Sequence, residues 1–107
     1  MAINKRYTRA WQTGETATPF TLTMHDGNGS ARTDIASATF TLINRDTGTT
    51  LVDDEACQSV AGGVLTYRPS LENMQTPCRF LAQFTATLET GLVEPKVHIE
   101  GEIEQRL

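Results

Sequence analysis

The chain has 107 residues, of which 38% are hydrophobic and 21% charged, and a net charge of −4. That length predicts one domain with a single two-layer core, and the composition falls well short of a disordered chain. The acidic balance excludes a nucleic-acid footprint, which wants a basic surface, and no run approaches the roughly 18 apolar residues that span a bilayer.

Helical periodicity is nearly absent, while period-2 alternation recurs. Residues 1–12, MAINKRYTRAWQ, read as an N-terminal arm in which YTRAW is a first, partly paired strand; residues 13–107 form the β-domain proper. The arm is positively charged but lacks an apolar stretch, so it predicts no secretory leader and folding in the cytoplasm. PFTLTM then alternates Phe20, Leu22 and Met24 against Thr21 and Thr23. Asp26-Gly27-Asn28-Gly29 is turn chemistry. TDIASATF is expected to be a loop that drops Ile35 toward the core. The strand SATFTLIN follows, with Ala38, Phe40 and Leu42 opposed to Thr39, Thr41 and Ile43. Its threonines suit a half-wet pleated face.

Asp46-Thr47-Gly48 turns the chain into the short run TTLVD. Gly62-Gly63 precedes GVLTYR, with Leu65 and Tyr67 on one face. SLENMQTP is the one weak helical candidate, a single turn capped by Ser70 before Pro77. RFLAQFTATLE is the clearest strand: Phe80, Ala82, Phe84, Ala86 and Leu88 point inward and Leu81, Gln83, Thr85, Thr87 and Glu89 outward. Thr90-Gly91 signals a tight hairpin. In KVHIEGEIEQRL, Val97, Ile99, Ile103 and Leu107 face in, and His98, Glu100, Glu102, Glu104 and Arg106 face out. Gly101 falls on the inward set, where it marks a bulge or a close backbone approach. These runs make about seven short antiparallel strands with turns at β-sandwich spacing, an all-β fold.

Candidate chemistry is sparse. The two histidines, His25 beside a turn and His98 on an outward face, read as exposed polar residues, and no GxSxG is present for a hydrolase. Asp26, Asn28 and Ser30 alternate like the start of a calcium loop, but Ala31 and Ser37 stand where Gly and Glu are required. Only an improvised cation site would remain. Cys57 and Cys78 lack paired CxxC spacing, so no structural zinc is expected, and in a reducing compartment they read chiefly as small hydrophobes, with a disulfide the lesser alternative. Glu100, Glu102 and Glu104 on one face of a last strand read as charges that keep an edge from recruiting another chain. Arg6, Tyr7, Arg9 and Trp11 form the most partner-like cluster, since aromatics and arginine are favoured at interface hot spots. An equal reading makes Trp11 a cap on one end of the core.

The blocks DG…DIASATFTL, RDTGTTLVD, GGVLTYRP and RFLAQFTATLETG, in this order over residues 14–105, resemble the Ig-like domain at the N-terminus of phage baseplate upper proteins. One departure is Cys78, where a glycine would precede the strand. The resemblance implies a single Ig-like antiparallel β-sandwich. It also implies a non-enzymatic subunit of a tailed-phage or prophage virion, working in tail or baseplate assembly. Its expected partners are other virion structural proteins and, as an open alternative, further copies of itself. No cofactor, metal, nucleic acid or membrane enters this reading. The chain would be made in the bacterial cytoplasm and end in the virion. Capsid decoration is the nearest rival role, and a small carbohydrate-binding module is a second, though only Trp11, Tyr7 and Tyr67 are offered as sugar platforms.

Overall fold

The computed structural model describes residues 4–6, 11–14, 16, 18–94 and 97–105. Eight strands follow in order: β1 (Asn4–Arg6), β2 (Trp11–Gln12), β3 (Phe20–Thr23), β4 (Ile35–Asn44), β5 (Thr50–Ala56), β6 (Val64–Tyr67), β7 (Cys78–Leu88) and β8 (Val97–Glu104). Single 3-10 turns at Ala61–Gly63 and Glu72–Met74 flank β6. One sheet has the order β1-β8-β7-β4-β5, with β2 also on β8; β3 and β6 form a second, two-stranded sheet.

Period-2 patterning decides which face of each strand is buried. Phe40 and Leu42 of β4, Phe80, Ala82, Phe84 and Ala86 of β7, and Ile99 and Ile103 of β8 are all buried on one side of the large sheet. The small sheet covers them with Phe20, Leu22, Leu65 and Tyr67. Phe20 lies 5.1 Å from Phe40 and meets Phe80 edge-on at 5.4 Å. Tyr67 stacks on Phe40 at 4.4 Å, and Phe40 is 4.9 Å from Phe84. Ring pairs in such offset and edge geometries add about 0.5–1.5 kcal/mol each beyond the area they bury.

The structure departs from the sequence expectations in several places. The sheet is mixed, not wholly antiparallel: Asn4–Arg6 and Trp11–Gln12 run parallel to β8. Alternation carries no strand direction, so the sequence pattern could not distinguish the two. The expected loop around Ile35 is already strand, because Ile35 pairs with Leu88 and a bulge at Ala36 precedes the Ser37–Thr87 pair. Ile35 and Ala38 are an odd three residues apart, so only that extra residue lets both face inward. Asn44 extends the inward series of β4 as a buried polar residue, 4% exposed. Its Oδ1 accepts the N–H groups of Asp46 and Thr47, which fixes the following turn.

The tight turn expected at Thr90-Gly91 forms, with Leu88 N–H donating to Leu92 O and Gly91 at φ 88°, although β8 itself begins only at Val97. Gly91 N–H closes onto Leu88 O, and Val93 then still bridges Thr87. Ser70 caps no helix; its hydroxyl donates to Asn73 Oδ1 at 2.8 Å, and only a 3-10 turn forms, burying Met74. Gly101 is a close approach: it pairs directly with Phe80, and a Cβ there would sit 2.6 Å from the tip of the Phe80 ring. Leu107 and Arg106, expected inward and outward, lie outside the described residues.

Finally, β8 is not an edge, since β7 flanks it on one side and β1 and β2 on the other. Glu100, Glu102 and Glu104 therefore guard no open edge. The exposed run Asp53, Asp54 and Glu55 does occupy one, on β5. Local pattern marks a strand as charged, but only the pairing order says which strand is outermost.

Candidate functional site

Of the N-terminal cluster, Tyr7 and Arg9 lie outside the described residues, and Arg6 is placed in β1, in register with Glu100. Trp11 is a core residue, 3% exposed. One ring face stacks on Phe20 at 4.4 Å, Phe80 meets it edge-on at 5.8 Å, and the indole N–H donates to Thr18 O at 2.9 Å. The indole is thus the cap on one end of the core and offers no ring face to a partner.

The histidines stand apart in the fold. His25 is exposed and bridges Ala31 across the DGNG turn, while His98 lies on the outer sheet face in register with Gln83. Asp26 organises its own turn: its Oδ1 accepts Asn28 N–H at 2.8 Å and Ser30 N–H at 3.2 Å. This is the local side-chain-to-backbone bonding by which aspartate builds turns. Among the described residues, no group of three or more His, Cys, Asp or Glu side chains is placed to hold a metal ion. Cys57 and Cys78 are free thiols. Burial pushes Cys57 up to about 11 and raises Cys78, so neither has the depressed pKa of a reactive thiol.

Three arginines tie loops and turns to the sheet. Arg32 holds Asp34 through two hydrogen bonds of 2.9 and 3.0 Å and reaches Glu94 at 3.0 Å. The Arg32 hydrogen bond holds the Asp34 carboxyl below its ordinary value. Arg79 donates its backbone N–H and its Nε–H to Asp46, and the backbone bond is the larger cause of the lowered Asp46 pKa. Arg45 pairs with Glu100. Such solvent-facing pairs contribute little individually and serve mainly to fix loop positions.

Two shallow concavities lie among the described residues. One, of about 600 Å³, is lined by Glu55, Tyr67, Arg68, Ser70 and Asn73 where β5 faces β6. The other, of about 480 Å³, lies on the outer face of the large sheet among Thr39, Thr41, Thr85, Thr87 and Gln83. Tyr67 is itself buried, its hydroxyl donating to Glu55 Oε1 at 3.1 Å. With Trp11 and Tyr67 both in the core, neither presents a ring for a sugar to stack on.

Burial, reinforced by the Glu55 hydrogen bond, pushes the Tyr67 phenol from its ordinary value of 10.0 up to about 12. A raised folded value means that the protonated phenol supports the fold below the ordinary value, and this support is lost as pH climbs through the folded one. Tyr67→Phe is expected to shift the alkaline unfolding midpoint, followed by circular dichroism, to higher pH. An unchanged midpoint would place the alkaline trigger elsewhere.

β5 is blunted by two register shifts against β4, and Asp54 adopts a positive φ of 50° with its N–H donated to Thr41 Oγ1. Bulges and charges of this kind suppress indiscriminate strand pairing. No helix among the described residues is long and apolar enough to cross a membrane. Comparison with protein-family models, curated proteins and solved structures finds no match to this chain.

Proposed function

We propose that the chain is a non-enzymatic structural subunit of a tailed-phage or prophage virion, an Ig-like β-sandwich that works in tail or baseplate assembly through protein–protein contacts. The observation that carries this reading is the strand pairing. β4, β7 and β8 lie together in one layer, and β3 pairs with β6 in the other. If β3, β4, β6, β7 and β8 are taken as strands B, C, E, F and G, these pairings correspond to C–F–G in one sheet and B–E in the other, as in an Ig-like sandwich, while β5 pairs with β4 instead of joining the B–E sheet. That agreement supports the resemblance read from the segment order, which is what points to the virion. The tethered loops, the thiols of raised pKa and the buried aromatics fit a scaffold better than a catalyst.

The test is placement in the particle. The tagged chain would be expressed in a host carrying the phage or prophage, and purified particles labelled with gold-conjugated antibody. Label at the tail or baseplate is expected. Label on the head would replace this reading with capsid decoration, and unlabelled particles would overturn a virion role.

A further inference from the structure

We propose that copies of this chain join edge to edge, the acidic strand β5 of one copy pairing with the basic strand β1 of the next, so that the large sheet runs on from subunit to subunit. This deepens the assembly reading and rests on it. The strand order β1-β8-β7-β4-β5 puts β1 and β5 at opposite ends of the same sheet. β1 has the sequence Asn4-Lys5-Arg6, and β5 carries exposed Asp53, Asp54 and Glu55. Two β5 edges would bring like charges together, as would two β1 edges; only the head-to-tail combination is complementary. Like-charge juxtaposition rejects wrong partners as strongly as opposite charge steers right ones. The blunting of β5 thus acts as selection, not closure.

Strand direction agrees with this. β5 is antiparallel to β4, β4 to β7 and β7 to β8, while β1 runs parallel to β8. Within one copy β5 and β1 therefore point in opposite directions. A neighbour related by translation, or by rotation about an axis along the strands, would present β1 antiparallel to β5, the more frequent pairing in proteins. A head-to-tail contact of this type is heterologous, so it closes into a ring or continues as a filament depending on the rotation per step. With β1 only three residues long, the junction is small and the association concentration-dependent.

The test is analytical ultracentrifugation of the full chain over a concentration series at low and high salt, together with two charge variants. The first, Lys5→Glu/Arg6→Glu, makes both edges acidic. The second, Asp53→Lys/Asp54→Asn/Glu55→Gln, makes both edges basic. Asn tolerates the positive φ at position 54, and Gln keeps an acceptor for Tyr67. The native chain is expected to associate and to weaken with salt. Each variant alone should associate roughly a hundredfold less tightly. An equimolar mixture of the two should recover association, because each then meets its complement.

A native chain that stays monomeric at every concentration, association indifferent to salt, or a folded mixture that fails to associate would overturn edge pairing. Should a variant not fold, the salt series on the native chain still decides the charge-coded contact. Failure here alongside gold-labelled particles would leave the assembly role standing with a different contact surface. Edge-coded association with unlabelled particles would leave self-assembly outside a virion.

Discussion

Trp11→Ala is expected to cost about 3–5 kcal/mol of folding stability, the range for deleting a large buried aromatic. The indole is stacked on Phe20 and edge-on to Phe80, joining the N-terminal segment, the small sheet and the large sheet at one point. Its removal leaves a cavity against three elements that cannot all collapse into it, because Phe20 and Phe80 are also held to each other. For a domain of this size, with total stability of about 5–15 kcal/mol, that is a large fraction. Trp11 is the sole tryptophan, so the unfolding curve in urea should be followed by circular dichroism rather than fluorescence. Trp11→Phe keeps a stacking ring but loses the bond to Thr18 O and should cost less. A loss below about 1 kcal/mol for the alanine variant would show that the ring does not bridge the layers. A further consequence concerns deletion of residues 1–12, which would remove a core ring together with β1. Lost assembly after that truncation would not by itself identify an arm contact.

Gly63→Ala should be nearly as damaging, about 2–4 kcal/mol. Gly63 has φ 78°, where a side chain is strained in any surroundings. A Cβ there would also lie 2.7 Å from Arg32 O, 3.0 Å from Arg32 N and 3.1 Å from Met24 O. These are backbone atoms engaged with one another: Arg32 N–H donates to Met24 O, and Met24 N–H donates to Gly63 O. No rotamer change relieves the contact, so the strand end of β3, the 3-10 turn before β6 and the loop at Arg32 would have to part. Gly62→Ala is the internal control. It shares the positive φ but has open space around its Cβ position, and should show the conformational cost alone. Thermal unfolding of the two variants separates the terms; equal losses would mean that the Arg32 contact yields freely.

Much of the inner surface was legible from alternation. Phe20, Leu22, Phe40, Leu42, Leu65, Tyr67 and the series Phe80 to Leu88 face the core as their spacing requires, because a pleated strand offers only two sides. The turn at Asp26 and the close approach at Gly101 were legible too, since each rests on residue chemistry within a few positions. What failed depended on distant partners. The charged face of β8 looked like an edge because it ends the order of segments, yet β1 and β2 cover it. The run at Asp53 to Glu55 has the same local appearance and does lie on an edge. Trp11, among basic residues, matched an interface anchor as well as a core cap; the nearness of Phe20 and Phe80 decided for the core.

The sequence by itself determined that this is a β protein, where most of its strands fall and which side of them is buried, because these follow from period-2 hydrophobicity and turn residues acting over short range. The tertiary structure alone decided that the N-terminal strands run parallel to β8, that the bulge at Ala36 brings both Ile35 and Ala38 inward, and that β1 and β5 end the large sheet. Strand order and direction are fixed by packing between residues far apart in the chain, and no local pattern encodes which edges that packing leaves open.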